Sequence, residues 1–251
     1  MKLIRISAVR YANTYPLIFG LRKSGIELNA DIKIDHPAEC ARKVRDHEAD
    51  IGLVPVATIK NITGLEIVSN YCIGADGPVK TVLLLSNNNL DEIDTIYLDY
   101  RSRSSVALTR ILAKEYWKKD FTWKETGSDF DFSHIPENEG LVLIGDQCYE
   151  LESNYKVRID LADEWKKFTA LPFVFACWVS NIDLDPGFID SFNKALAYGV
   201  NNIAGAVDFY NEISIMPADI LSRYLNKNIE FVLDDKKREA MKLFFEYIDK
   251  L

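Results

Sequence analysis

The chain has 251 residues, 48% hydrophobic and 27% charged, enough apolar material to bury one large core or two modest ones and to exclude a disordered chain. Its net charge is -8 and its Lys and Arg residues are scattered, a balance that argues against nucleic acid as a partner. No stretch approaches the roughly 18 apolar residues of a membrane span, so no membrane is expected either.

Other chemistries lack their residues as well. Cys40, Cys72, Cys148 and Cys177 lie far apart without a CxxC pair, and are expected to be buried structural thiols. His36, His47 and His134 show no HxxxH or HExxH spacing, and neither GxGxxG nor GxxxxGK[ST] occurs, so no metal and no nucleotide cofactor is expected. Met1 to Ala8 alternates like the start of a strand and has no charged region followed by an apolar core; the expected location is cytoplasmic.

In chain order, Leu3 to Val9 reads as a strand and Thr14 to Ser24 as a helix stopped by Gly25. Asp31 to Asp35 alternates as a second strand. Pro37 opens a helix, and Asp50 to Pro55 is a short buried strand ended by its proline. This β-α-β-α-β rhythm implies a parallel sheet with crossover helices. Lys80 to Leu85 reads as a strand carrying the chain outward to a second lobe. There the expected elements are a strand at Thr95 to Leu98, a helix from Arg103 to Lys118, and a strand at Leu141 to Ile144, with Thr126 to Gly140 as a surface loop.

Asp160 is expected to cap a helix that includes Trp165, and the run Leu171 to Val179 is too apolar and too punctuated for one face of a helix. It reads as a strand buried on both sides that returns the chain to the first lobe. Three helical segments follow. In the last, Met241, Phe244, Phe245 and Ile248 recur at helical spacing as core, and Lys236-Lys237-Arg238 is expected to form a solvated face. Residues 1–86 and 178–251 then make one lobe and 87–177 the other, with crossing strands near 80–87 and 173–180 and a ligand cleft between the lobes.

Ligands of α/β sheets bind beyond the carboxyl ends of the strands, which singles out three loops. In the first, Tyr11 to Pro16, Asn13 or Thr14 either caps the next helix or meets a ligand. The second, Ser102-Arg103-Ser104-Ser105, joins three hydroxyls and a guanidinium to a helix N-terminus. That is more than one cap needs, and it suits a carboxylate. The third is Gly145-Asp146, where Gly lets a ligand approach the backbone and Asp146 either caps a helix or acts on substrate. Arg10, Lys80 and Arg101 flank these loops as sources of positive potential or as ordinary surface charges.

With these loops on the page, the chain resembles the chorismate dehydratase family of the futalosine route to menaquinone. The resemblance rests on Val9 to Leu17, Asp50 to Pro55, Gly77 to Leu84, Ser102 to Ser105, Ile144 to Asp146, Asp160-Leu161 with Trp165, and Leu171 to Ala176, in family order. It departs at Thr81, where Ser is usual, at Ser104, where Thr is usual, and at Thr169-Ala170, where Thr-Gly is usual. The first two keep a hydroxyl. The sister enzyme that makes 1,4-dihydroxy-6-naphthoate usually carries a Pro-Asn-Asp type loop in place of Tyr11 to Thr14.

The resemblance implies a two-lobed α/β fold of the periplasmic-binding-protein-like type 2 class. It also implies conversion of chorismate to 3-[(1-carboxyvinyl)oxy]benzoate and water without a cofactor. Asn13 and Asp146 are the implied catalytic residues, and Thr81, Ser102, Arg103, Ser104, Ser105 and Gly145 the implied substrate-binding ones. The departing C3 hydrogen and C4 hydroxyl of chorismate are cis, so a stepwise path replaces a concerted anti elimination. The matched loops hold no His, Lys or Cys to serve as base. The substrate's own enolpyruvyl carboxylate is the expected proton acceptor, with Asn13 orienting it or the leaving hydroxyl, and Asp146 is the alternative. A 1,4-dihydroxy-6-naphthoate synthase-like enzyme and a non-enzymatic solute-binding or sensor module remain open.

Overall fold

The structure is a computed structural model that describes residues 2–251, so the expectations that touch Met1 lie outside the described residues there. The N-terminal rhythm is as expected: strand β1 (Ile4–Val9), helix α1 (Tyr15–Lys23), β2 (Ala30–Asp35), α2 (Pro37–Arg45) and β3 (Ile51–Pro55). β1 pairs in parallel with both β2 and β3, and Gly25 stops the first helix with φ +73°. A short helix α3 (Val56–Ile59) and a ten-residue strand β4 (Glu66–Ala75) follow. The sequence reading missed β4, because its first half (Glu66-Ile67-Val68-Ser69-Asn70) is only partly covered and carries polar residues.

The second lobe holds β5 (Val82–Ser86), β6 (Thr95–Leu98), α4 (Arg103–Ile111), β7 (Thr122–Glu125), β8 (Glu139–Ile144), α5 (Gln147–Leu151) and β9 (Val157–Asp160). α4 continues as a π turn over Leu112–Trp117 and ends at Lys118 with φ 55°, so the expected helix over 103–118 is present in two hydrogen-bonding patterns. After α6 (Leu161–Thr169) and β10 (Phe173–Ser180) come α7 (Pro186–Val200), α8 (Ile203–Tyr210), α9 (Ala218–Lys227), β11 (Glu230–Val232) and α10 (Asp235–Ile248). Where three helical segments were expected, there are four helices and a short strand. Asp160 caps α6 as expected, accepting the N–H groups of Ala162 and Asp163.

Two sheets organise these elements, a six-stranded one in the order β11-β4-β10-β3-β1-β2 and a five-stranded one in the order β7-β6-β8-β5-β9. They correct the expected crossings. β5 pairs with β8 and β9 in the second sheet, and β10 lies between β3 and β4 in the first. The chain changes lobe in the connection 76–81 and in the segment 161–172 that carries α6, not in strands 80–87 and 173–180. The expected limit after 86 falls at the end of β5, and the one after 177 falls inside β10. Both apolar runs are apolar because each strand is central in its own sheet, covered on two faces.

One apolar core runs through both lobes. Trp165 of α6 is fully buried, packs edge-on against Phe173 and Phe244, and donates its indole N–H to the Pro172 carbonyl at 3.1 Å. All four cysteines are free and buried, as expected. A smaller cluster covers the outer face of the second sheet, where Ile135, Phe130 and Phe132 pack on Leu83, Leu85, Leu141 and Leu143. The segment 126–138 is therefore irregular but anchored, and not only surface, while the last two residues of the expected loop, 139 and 140, open β8. Lys237 is corrected too: it is buried beside Asp234 and Glu230, with Nζ 3.0 Å from Asp234 Oδ2, so Lys236-Lys237-Arg238 is not wholly a solvated face. Among the described residues no helix is long and apolar enough to cross a membrane.

The C-terminal helices lock onto the first lobe through a close crossing of α1 and α7. A Cβ added at Gly199 would lie 1.8 Å from the Pro16 carbonyl oxygen, and one at Gly20 would lie 2.1 Å from the Ala195 carbonyl oxygen. Both clashes are with backbone, which cannot swing aside. Gly199→Ala is expected to destabilise the protein by about 3 kcal/mol, read from the midpoint of urea unfolding. An unchanged midpoint would mean that the two helices do not meet at this point.

Candidate active site

The loops that end the strands of the two sheets face each other across a cavity of about 60 Å³. From the first lobe it takes Tyr11, Asn13 and Thr14 after β1, Pro37 at the start of α2, and Phe175 and Ala176 of β10. From the crossing and the second lobe it takes Val79, Thr81, Ser102, Ser104, Ser105 and Gly145. Of the residues expected from the sequence, Asn13, Thr81, Ser102, Ser104, Ser105 and Gly145 are brought together there. Arg103 and Asp146 are not among the lining residues. The space is well below the roughly 300–1,000 Å³ of pockets that hold small molecules, so the lobes as placed here leave little room between them.

Neither Asn13 nor Thr14 caps α1 with its side chain. The Thr14 hydroxyl instead donates back to the Val9 carbonyl at 2.7 Å, which bends the loop into a 3-10 turn over Ala12–Thr14. That turn points the Asn13 amide at Tyr224, a fully buried residue of α9 whose hydroxyl also meets the Thr81 hydroxyl at 2.8 Å. Burial drives the Tyr224 phenol well above its ordinary pKa, with Thr81 and Asn13 opposing, so Tyr224 remains a neutral relay between them. Sequence reasoning missed it. Tyr224 lies more than 200 positions from Asn13 on a helix whose other buried residues, Leu221 and Leu225, mark it as ordinary core.

At the N-terminus of α4 the three hydroxyls divide their work. Ser102 is the cap, accepting the Ser105 N–H at 3.1 Å and donating its hydroxyl to Ser105 Oγ at 2.8 Å. This leaves the Ser105 hydroxyl proton for an acceptor in the cavity. Ser104 spans the lobes, accepting the Ala57 N–H at 3.2 Å and donating to the Phe175 carbonyl at 3.3 Å. Arg103 is exposed and lines a separate groove with Arg110 and Leu251, so the guanidinium expected in the anion site faces away from it. Its place one residue after the cap puts it on the opposite side of the first turn from Ser102 and Ser105.

The flanking cations are also placed elsewhere. Arg101 is spent on the buried carboxylate of Asp99, at 2.6 and 2.7 Å, and stacks on Phe132. Arg10 is exposed and contacts His36, and Lys80 is exposed. Among the described residues no Lys or Arg lines the cavity, and no group of three or more His, Cys, Asp or Glu could hold a metal ion. The polar groups the cavity presents are amides, hydroxyls and the N-terminal end of a helix dipole.

Gly145 has φ +76°, and a Cβ there would sit 2.6 Å from the Tyr11 ring, so the ring of one lobe rests on the bare backbone of the other. Next to it, the Asp146 carboxylate crosses between lobes and accepts the Ala12 N–H at 3.0 and 3.1 Å. Burial pushes the Asp146 carboxyl up to about 6, against the pull of that N–H.

The chain as a whole resembles known proteins. Residues 4–250 match the profile of a family described as menaquinone biosynthesis. The chain belongs to that family. A chorismate dehydratase of Thermus thermophilus is 25% identical, over 94% of this chain and 92% of that one. A protein of Archaeoglobus fulgidus shares the fold with a TM-score of 0.79 at 14% identity, covering 98% of this chain and 97% of its own. The alkanesulfonate-binding protein SsuA of Xanthomonas axonopodis, bound to MOPS, has a TM-score of 0.64 at 12% identity, with 97% and 92% covered. A Candida albicans protein described as having the generic periplasmic binding protein fold scores 0.65 at 13% identity, with 100% and 94% covered. The menaquinone family member described here thus has the two-lobed periplasmic-binding-protein-like fold.

The raised Asp146 pKa has a sign that can be measured. The folded value is about 6 and the unfolded one about 3.9, so between them the folded state holds a proton that the unfolded state has lost. Stability therefore falls as pH rises through that window, and above it the desolvated charge costs about 3 kcal/mol. Asp146→Asn removes the charge and keeps an acceptor for Ala12. It is expected to stabilise the protein by that amount at pH 8 and by little at pH 4, read from urea midpoints. An equal effect at both pH values would contradict the assignment.

Proposed function

We propose that the protein is a cytoplasmic hydro-lyase that converts chorismate to 3-[(1-carboxyvinyl)oxy]benzoate and water. The observation that carries this reading is the convergence of Asn13, Thr81, Ser102, Ser104, Ser105 and Gly145 on one interlobe cavity. Those residues come from loops far apart in sequence that the resemblance names together. The similarity to the Thermus thermophilus chorismate dehydratase supports it further.

The chemistry asks little of the protein beyond placement. Loss of the C3 proton and the C4 hydroxyl makes an aromatic ring, so the product side is strongly favoured. With hydrogen and hydroxyl cis, the elimination proceeds stepwise. No His, Lys or Cys lines the cavity, and the Asp146 carboxylate is engaged with Ala12. The substrate's enolpyruvyl carboxylate therefore takes the C3 proton in this reading and passes it to the C4 hydroxyl, whose C–O bond breaks to release water and restore the carboxylate. Asn13 orients the reacting oxygen. A second carboxylate is held by the Ser105 hydroxyl and the α4 N-terminus. Closure of the lobes expels water and fixes the carboxylate near the C3 proton.

Purified protein mixed with chorismate is expected to yield the aromatic ether and water, followed by absorbance and mass. Unchanged chorismate after prolonged incubation would leave the binding-module reading standing. Asn13→Asp places a negative charge against two substrate carboxylates, and kcat/KM is expected to fall by about 10²-fold or more in protein that circular dichroism shows to be folded. Ser105→Ala is expected to weaken binding by about 1–3 kcal/mol, read from KM. Near-normal turnover in Asn13→Asp would remove that amide from the mechanism.

A further inference from the structure

The cavity contains one buried polar group that neither the mechanism above nor a hydrogen bond within the protein uses. Its other hydroxyls have partners: Thr14 bonds the Val9 carbonyl, Thr81 bonds Tyr224, Ser102 bonds Ser105, and Ser104 bonds Phe175. Tyr11 also lines the cavity, and among the buried side-chain atoms there its hydroxyl is the one without a hydrogen-bond partner. Native proteins pair almost all such groups, because an unmet buried donor loses its water and gains nothing.

The ring is not free to move its hydroxyl elsewhere. It is seated on Gly145, where even a methyl group would lie 2.6 Å from Cε1. The charged groups nearest the hydroxyl are occupied, Arg101 with Asp99 and Gln147, and Asp146 with the Ala12 N–H. Burial raises the phenol pKa, so the group stays protonated and is a donor across the physiological range. The Tyr11 ring belongs to the first lobe and Gly145 to the second, so parting of the lobes uncovers the donor and closure brings it over whatever lies in the cleft.

We propose that the Tyr11 hydroxyl is a substrate-binding donor, left without a protein partner so that it bonds an oxygen of the bound molecule. This rests on the chorismate reading above. On chorismate the acceptor is the C4 hydroxyl or a carboxylate, and the product separates the two, since it keeps both carboxylates and lacks that hydroxyl.

The test compares wild type and Tyr11→Phe by the KM for chorismate, read from initial rates, and by calorimetric titration with 3-[(1-carboxyvinyl)oxy]benzoate. Phe keeps the ring on Gly145 and deletes only the unpaired oxygen, so the ligand-free melting temperature is expected to be equal or higher. A purely structural role would lower it. The KM for chorismate is expected to rise roughly 10- to 100-fold. A parallel loss for the product assigns the carboxylate, and a loss confined to chorismate assigns the hydroxyl. An unchanged KM with undiminished product binding in Tyr11→Phe overturns the inference alone, whereas no turnover by wild type overturns the chorismate reading and this contact with it.

Discussion

Contact between the loops of two lobes, made with backbone groups that must stay paired once water is excluded, is the constraint on which this structure depends. Ala12 N–H is satisfied by Asp146, Ala57 N–H by Ser104, and the Tyr11 ring lies on Gly145. Each contact joins first lobe to second at the rim of one cavity. Each works because a small residue lets the loops approach: a serine, a glycine, an alanine. A desolvated cleft follows from this closure. There a single hydroxyl or amide donor is worth more than it would be in water, and a lone carboxylate such as Asp146 is penalised for its charge.

Under the proposed reading, that electrostatic setting lets the protein hold an anionic ligand with a net charge of -8 and, among the described residues, no lining cation. A guanidinium in the cleft would need its own counter-ion when empty, which is the arrangement seen just outside it in Arg101 and Asp99. Neutral donors carry no such need. Under the proposed reading the reaction is driven by aromatisation, so placement and dryness suffice. The candidate base is then the substrate's own carboxylate. Asp146 is better described as part of the closure, a carboxylate that accepts the Ala12 N–H and whose ionisation costs stability.

Much of this was legible in the sequence, for physical reasons that differ by element. The β-loop-α order placed Asn13, Ser102 to Ser105 and Gly145-Asp146 at strand ends, and all three loops do face the interlobe space. Hydroxyl spacing at Ser102 and Ser105 marked one turn of one helix. The same spacing shows why Arg103 points away, a fact the sequence reading passed over. β4 escaped notice because its first half is polar and partly exposed, and the crossings were misplaced because burial on two faces looks the same in a sheet centre as in a hinge. Tyr224 could not be found, since its partners Thr81 and Asn13 are brought to it only by the packing of the C-terminal helices on the first lobe.

A crystal structure of the protein with 3-[(1-carboxyvinyl)oxy]benzoate bound would test the central claim most directly. The account places one carboxylate within hydrogen-bond distance of the Ser105 hydroxyl and the α4 N-terminus, with the ring between Asn13 and Gly145 and the lobes closed over it. A ligand seated in another groove, or bound with Ser105 and Asn13 left facing water, would contradict it.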